Sequence, residues 1–352
     1  MSVAIIGGGL AGLTAADKLA QNGVSVTVYD MGRSPGGRAS TRHVKHDGMS
    51  LQFDHGCQFW KVSDPALLQH FRGWEQQGCL KPWTARLGSL DAASGTFTDR
   101  REAHASAGAS RRGFCGIMTP GEVYVGAPGM SAICAALSQH ANIDGKWGAK
   151  VKRAVKQDSG LWEVTAETGR EKQVLTAMHK GLVIADQMNA RSESPGYVEM
   201  QSHNSSTIMQ QLFNMQGSPR FSLMLALSEG VIRAPFDGAS IDNSCTIEWI
   251  ARDSSKPGRE RQDGLECWVA VTTEEYAKQL LAEKPLAVDG TYVPQTQNYL
   301  SDTAAKIWTA VKGLLTLSEG AEQKPAYMHA QRCRYSMEAG MMYMSLTVGA
   351  VS

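Results

Sequence analysis

The chain has 352 residues, with 35 Lys and Arg against 34 Asp and Glu, so its formal net charge at pH 7 is +1. Such a balance offers no electrostatic footprint for nucleic acid. No apolar run approaches the roughly 20 residues that a membrane-spanning helix needs. The length predicts about two domains, at about 150 residues for each. The charge balance and the lack of a long apolar run predict no nucleic-acid or membrane partner.

The cysteines and the N-terminus bear on the cellular compartment. Seven cysteines stand at irregular spacing without a C-x-x-C pair, which is typical of a reducing compartment and predicts neither a disulfide framework nor a metal site. The first apolar strand begins at residue 2 or 3, which leaves no room for a signal or transit peptide. The default expectation is a cytoplasmic protein.

The N-terminus combines a strand, a glycine-rich turn and a helix. Apolar residues 3–6 precede Gly7, Gly9 and Gly12 of a G-x-G-x-x-G, and the alanine- and leucine-rich residues 13–19 follow. The glycines let the turn fold sharply and bring backbone amides close to a pyrophosphate at the helix N-terminus. This order predicts a dinucleotide site.

A second strand, residues 25–29, ends in Asp30. An acid about 20 residues after the glycines is where the acceptor of ribose hydroxyls belongs. A carboxylate there suits NAD or FAD and repels a 2′-phosphate, so NADP is the least favoured dinucleotide.

A second glycine-rich turn follows, with Gly36 and Gly37 before Arg38. An arginine beside such a turn is suited to charge-assisted bonds with a phosphate oxygen. We interpret the two turns together as holding one pyrophosphate.

Residues 36–42 read G-G-R-A-S-T-R, and residues 53–59 read F-D-H-G-C-Q-F. This pattern resembles the flavin-containing amine oxidase superfamily and, within it, the renalase-like branch of FAD-dependent oxidoreductases. Residues 124–131, 247–259 and 266–271 resemble further segments of that branch.

Periodicity predicts the remaining elements. Helices are expected at residues 67–74, 131–140 and 302–315, a hairpin from residues 83–87 and 95–98, and strands at residues 150–155, 161–164, 181–185, 221–227, 246–251 and 267–272. In the last helix a core-facing stripe recurs at helical spacing, consisting of Ile307, Ala310, Leu314 and Leu315.

The resemblance implies an α/β protein: a Rossmann-like FAD-binding domain with a doubly wound parallel sheet, and an α+β substrate domain on a mixed or antiparallel sheet. The expected FAD-binding domain comprises residues 1–52, 126–200 and 326–352, and the substrate domain comprises 53–125 and 201–325. Its implied FAD contacts beyond the glycines and Asp30 are Ala11, Arg38, Gln58, Phe59 and, through its backbone, Val151.

Trp249, Arg252 and His55 are the candidates for substrate contact. An aromatic plate and a guanidinium are suited to a flat, anionic substrate. Strand alternation places Trp249 and Arg252 on opposite faces, however, so one pocket could include both only with a bulge. For His55 the competing interpretation is a hydrogen-bonded structural histidine.

The resemblance implies hydride transfer from a reduced nicotinamide-type small molecule, a misreduced NAD(P)H isomer, to flavin, with reoxidation by O2 to hydrogen peroxide. The cofactor carries such chemistry, so no dedicated acid or base is required. The alternatives are a flavin amine oxidase and a non-catalytic FAD- or dinucleotide-binding protein. The first motif alone also leaves an NAD-linked dehydrogenase open.

The non-catalytic alternative comes from the C-terminus. Residues 326–335 resemble the strand by which the family returns to its FAD domain, but the pattern is lost after Tyr335. Relatives continue into a helix whose N-terminal amides complete the flavin site, and loss of those amides predicts weak flavin retention.

Overall fold

The computed structural model describes residues 2–105, 112–169, 171–186, 199–201, 218–284, 287–288, 291–292, 295–318 and 324–336. The helices are α1 Leu10–Gln21, α2 Pro65–Gln76, α3 Arg100–Ala105, α4 Ala132–Leu137, α5 Glu274–Glu283 and α6 Gln297–Leu314. The strands are β1 Ser2–Ile6, β2 Ser25–Asp30, β3 Arg42–His46, β4 Met49–Phe53, β5 Leu80–Pro82, β6 Leu87–Asp91, β7 Phe97–Asp99, β8 Tyr124–Gly126, β9 Ile143–Trp147, β10 Ala149–Lys156, β11 Trp162–Thr168, β12 Gln173–His179, β13 Gly181–Ile184, β14 Glu199–Gln201, β15 Ser218–Ser228, β16 Gly238–Asp242, β17 Ile247–Arg252, β18 Leu265–Thr272, β19 Ala287–Val288, β20 Thr291–Tyr292 and β21 Tyr327–Ser336.

The N-terminal βαβ unit forms a Rossmann-like parallel sheet with the order β13-β1-β2-β9. Alternate residues of β1 face opposite sides, so Ile5 packs with Leu13 of α1 while Ala4 packs with Val164 of β11. This confirms the predicted strand, helix and second strand, and the return of residues 181–185 beside β1. Strand β9 was not predicted, because between Ile143 and Trp147 it contains only Asp, Gly and Lys.

A second sheet has the order β12-β11-β10-β14. Strands β10, β11 and β12 form an antiparallel meander, and β14 pairs parallel to β10. The meander covers the face of the parallel sheet opposite α1, where Val151 and Ala166 pack near Tyr29. The parallel sheet is therefore covered on both faces, as an all-parallel sheet requires.

The largest sheet is mixed and has the order β21-β15-β18-β17-β16-β6-β7. Only β16 and β6 pair in parallel, and the other neighbours are antiparallel. Leu280 of α5 and Ile307 of α6 pack on one face, against Leu223 and Leu225 of β15. The opposite face shares one apolar core with α1 and β2, so it faces the Rossmann-like domain.

The C-terminal strand corrects one expectation. Strand β21 does not join the Rossmann-like parallel sheet but pairs antiparallel with β15, placing Gln331 opposite Ser222. In this position Ala330 lies in the core under the helices together with Leu223, and Met328 packs against that core. The segment after this strand, in which the family pattern is lost, comprises residues 337–352 and lies outside the described residues.

Two local predictions are also wrong in position. The hairpin strands are β6 and β7 rather than residues 83–87 and 95–98, because Asp91 caps the turn by accepting from the amides of Ala93 and Ser94. The helix expected at residues 131–140 is limited to Ala132–Leu137. None of the helices in the described ranges combines the length and apolarity needed to cross a bilayer.

Candidate functional site

The glycine fingerprint is built by close backbone contact. Gly7 has φ +114°, a conformation that side chains disfavour, and a Cβ placed at Gly12 would lie 1.9 Å from the carbonyl oxygen of Gly7. Gly12 therefore lets α1 press against the end of β1. Gly9 is the N-cap of α1 and provides no side-chain acceptor, so the first-turn amides stay available to an anion.

The second glycine turn lies directly on the first. The amide of Gly36 donates to the carbonyl of Gly8 at 2.9 Å, and Gly9 and Gly36 form a parallel β-bridge. A Cβ at Gly37 would lie 3.0 Å from the Cα of Gly9. Both turns thus border the N-terminus of α1.

Asp30 stands at the carboxyl end of β2, beside the turns. One carboxylate oxygen accepts from the amide of Gly8 at 2.6 Å, and the other accepts from the amide of Gly32 at 2.6 Å. A carboxylate has about four acceptor positions. The two amides therefore fix its orientation and leave acceptor capacity for a ribose hydroxyl.

Trp147 was missed by the sequence analysis. It ends β9 opposite Asp30, and a Cβ at Gly8 would lie 2.6 Å from its ring. The indole therefore covers the first glycine turn from the side of the sheet. Its only sequence signal is an aromatic residue after a strand that was itself too polar to predict.

The other implied FAD contacts differ in accessibility. Ala11 and Arg38 are exposed beside the glycine turns. Val151 is buried in β10, immediately before a register shift in the pairing with β11. The first two side chains are accessible to a ligand, whereas Val151 could offer only its backbone.

Gln58 and Phe59 are committed to internal contacts. The Gln58 amide nitrogen donates to the carbonyls of Asp54 and Gly56, and its oxygen accepts from the Trp249 indole at 3.3 Å. The ring of Phe59 lies 5.3 Å from that of Trp249. These side chains hold the F-D-H-G loop against the large sheet.

That loop is also pressed onto the second glycine turn. The amide of Cys57 donates to the carbonyl of Arg38 at 2.9 Å, and a Cβ at Gly56 would lie 2.1 Å from the same oxygen. Only glycine fits at position 56. The two motifs that carried the family resemblance are therefore neighbours in space.

Four buried charged side chains lie where the segments that carry the family resemblance come together. Lys256 donates to Asp54 at 2.9 Å and forms an ion pair with Asp253 at 2.6 Å, and Arg259 binds the same two carboxylates. We call these four residues the buried quartet. Burial alone would raise the pKa of Asp54, but Lys256 and Arg259 lower it below its usual value.

The buried quartet also reaches the neighbouring loops. Asp54 accepts from the Thr41 hydroxyl at 2.8 Å and from the amide of Met130 at 3.1 Å. Arg259 donates to the carbonyl of Pro128 at 2.8 Å. The segments around residues 41, 54, 128–130 and 253–259, all of which carry the family resemblance, are therefore joined by hydrogen bonds and ion pairs of the buried quartet. The sequence analysis did not assign this cluster.

The structure separates the two substrate candidates on β17. Trp249 is fully buried in the core that faces the cofactor domain, with its ring 5.1 Å from that of Phe114. Arg252 lies at the end of the strand and pairs with Asp237 and, at 2.9 Å, with Glu266. The two side chains have separate surroundings, in agreement with strand alternation, and the Trp249 ring is not accessible to a ligand in this arrangement.

His55 is the third substrate candidate. Its carbonyl accepts from the Ser222 hydroxyl at 2.6 Å, which holds the residue over the large sheet. Burial and the nearby Arg42 lower the pKa of its imidazole, so the ring is neutral at pH 7. Its Nδ1 atom is buried and has no hydrogen-bond partner among the described residues.

Comparison with known proteins agrees with this geometry. Residues 5–74 match the family model described as NAD(P)-binding Rossmann-like domain. The chain therefore carries an NAD(P)-binding Rossmann-like domain. This domain includes both glycine turns, Asp30 and the F-D-H-G loop.

Solved structures extend the fold similarity along the chain. Wild-type putrescine oxidase bound to putrescine has a TM-score of 0.57 at 13% identity, over 94% of this chain and 84% of that one. An oxidoreductase from Methanosarcina mazei has a TM-score of 0.61 at 12% identity, over 97% and 90%. The PF1083 protein from Pyrococcus furiosus has a TM-score of 0.58 at 12% identity, over 96% and 88%. At these identities the similarity shows the mixed α/β fold.

Proposed function

We propose that this chain is an FAD-dependent oxidase of the renalase-like kind. Its substrate would be a reduced nicotinamide-type molecule, a misreduced isomer of NAD(P)H. The observation that carries the proposal is the contact between the two glycine turns, with Gly36 bonded to Gly8 and Asp30 fixed beside them.

The residues present fit a dinucleotide. The uncapped N-terminus of α1 provides amides and a partial positive charge for a pyrophosphate. Exposed Arg38 is placed to add a charged donor, and Asp30 to orient a ribose. FAD bound there would supply hydride acceptance and reoxidation by O2 to hydrogen peroxide.

The large sheet provides the opposite wall in this proposal. Its face toward the cofactor domain carries Met224 and Val269 in the shared core, and His55 lies over the same face. The chain's own residues would orient the substrate and exclude water there. Hydride transfer needs no acid or base from the protein, which is consistent with the neutral state of His55.

The fold similarity to putrescine oxidase favours a second candidate, oxidation of an amine C–N bond. The same site would serve, with an amine in place of the nicotinamide. A non-catalytic FAD- or dinucleotide-binding protein is the third candidate, because residues 336–344 depart from the pattern that the family resemblance implies after Tyr335.

The visible absorption spectrum, recorded before and after addition of FAD, tests the proposal. We expect FAD to be taken up, to bleach anaerobically with aged NADH as a source of misreduced isomers, and to recover in air with peroxide release. Bleaching by putrescine alone would favour the amine oxidase. FAD uptake without bleaching by either would favour the non-catalytic protein, and no uptake would overturn the assignment.

A further inference from the structure

Three basic side chains, those of Arg42, His55 and His329, mark one corner between the large sheet and the Rossmann-like domain. Arg42 begins β3, His55 follows β4, and His329 lies on β21. Arg42 makes no ion pair with any residue in the described ranges. Its Nη1 donates to the neutral side-chain oxygen of Gln331 at 3.1 Å, and the guanidinium also hydrogen-bonds the Tyr327 side chain.

Packing of the β3–β4 hairpin on β21 holds this corner together. Phe53, which pairs with Arg42 across the hairpin, stacks on Tyr327 with ring centroids 5.6 Å apart. Tyr327 in turn lies along His329, with centroids 6.4 Å apart and an interplanar angle of 26°. Arg42 and His329 lie on these strands, and His55 directly follows β4. The packing of the strands therefore fixes the relative positions of the three basic side chains.

The acids nearest to His55 cannot neutralise the corner. Asp54 and Asp253 act on His55 electrostatically, but both carboxylates already bind Lys256 and Arg259. The buried quartet is formally neutral, since it holds two acids and two bases. Among the described residues, the guanidinium of Arg42 therefore has no acid that compensates its charge.

The two imidazoles are neutral at pH 7. Burial, followed by Arg42, lowers the pKa of His55, and burial, Arg42 and His55 lower the pKa of His329 to about 4. The corner thus has one fixed positive charge and two neutral rings, one of which has a buried nitrogen without a described partner. An unsatisfied buried polar group destabilises a folded protein, so such a group calls for an explanation.

We propose that Arg42, His55 and His329 form a binding site for a singly charged oxyanion of a small-molecule ligand, either a carboxylate or a phosphodiester. A single negative charge matches the single guanidinium, whose remaining N–H groups are suited to oxygen acceptors. An imidazole N–H adds a neutral donor. This inference goes beyond the proposed oxidase, because none of the three side chains belongs to the glycine turns or to Asp30.

The test is a titration of the purified full-length chain, labelled at histidine and followed by the ring resonances in NMR spectra. The probes are sodium acetate for a carboxylate and sodium dimethyl phosphate for a phosphodiester, each against sodium chloride at equal ionic strength. We expect saturable shifts of the His55 and His329 resonances with at least one probe. If neither probe gives a saturable shift, the proposal is overturned whatever FAD does.

Variants assign the binding to the corner. Arg42→Gln should weaken anion binding by about 10-fold or more, because a hydrogen bond to a charged donor is lost. Lys45→Gln removes a positive charge from the exposed side of the same strand and should bind as the parent does. Equal affinity in the parent and in Arg42→Gln would overturn the proposal. Should Arg42→Gln fail to fold, His55→Gln decides, since unchanged affinity in that variant would also overturn it.

Discussion

The ammonium of Lys256 donates to the carboxylate of Asp54 at 2.9 Å although neither side chain is exposed to solvent. Both ions gave up hydration to reach this position, and the bonds to Asp253 and Arg259 compensate for it. Such an arrangement tolerates the loss of a partner poorly, because an unpaired charge is left in the interior.

Replacing Lys256 with Met should therefore lower the free energy of unfolding by about 3–5 kcal/mol. Urea denaturation followed by circular dichroism measures the difference. Lys278→Met is the matched control, because Lys278 pairs with Glu274 at the surface and its side chain is 64% exposed. That variant should change stability by less than about 1 kcal/mol. Similar losses of stability in both variants would show that the buried quartet contributes no more than a surface ion pair does.

Gly12→Ala should displace α1 from β1, because the new Cβ would lie 1.9 Å from the carbonyl oxygen of Gly7. We expect a loss of about 1–3 kcal/mol of stability, as for other overpacked positions, together with weaker FAD uptake. Gly73→Ala in α2 is the control, since a Cβ there meets nothing within 4 Å. The control should be unchanged or slightly more stable. Normal flavin binding by Gly12→Ala would contradict the close approach of helix and strand.

Asp30→Asn should weaken FAD binding by about 10-fold, because a charged acceptor of hydrogen bonds is replaced by a neutral amide. The Asn side chain also leaves one of the amides of Gly8 and Gly32 without a good acceptor. Quenching of flavin fluorescence on titration measures the affinity. Asp47→Asn, in an exposed turn, controls for the change in net charge. An unaltered affinity in Asp30→Asn would remove this residue from the cofactor site.

The pH dependence of stability should depend on His329. Its pKa is about 4 in the folded protein, lowered mainly by burial, against about 6.5 in an unfolded chain. Between these values the unfolded state binds more protons, so this imidazole contributes stability above pH 6.5 that is lost as the pH falls toward 4.

His329→Gln should therefore show a shallower loss of stability between pH 6.5 and 4 than the parent, in urea unfolding at a series of pH values. His43→Gln, at an exposed position of β3, should follow the parent curve. Parallel curves for His329→Gln and the parent would indicate that His329 titrates normally in the folded state.

Local sequence patterns predicted the parts of the site that are local in structure. The two glycine turns and Asp30 lie within 37 residues of the N-terminus, and their roles follow from backbone geometry alone. Strand β9 escaped prediction because its pairing with β2 does not depend on its own apolar content. Trp147 was missed with it.

The side-chain partners could not be predicted from the sequence for a different reason. Nothing in the sequence couples Gln58 with Trp249, or Arg42 with Gln331, because these pairs are 191 and 289 residues apart. The strand with which β21 pairs also depends on which strand of the large sheet has an edge left to pair with. Such information exists only once the large sheet is assembled.

The long separations in the buried quartet have a consequence for biosynthesis. Asp54 and Arg259 are 205 residues apart, so the glycine turns leave the ribosome long before the cation that completes their supporting loop. Contacts of this range close slowly, because the chain entropy of a large loop is lost before any bond is gained. The loop at Asp54 therefore gains these contacts only after Arg259 has been synthesised, and a nascent chain that stops before Arg259 would carry the complete glycine fingerprint without them.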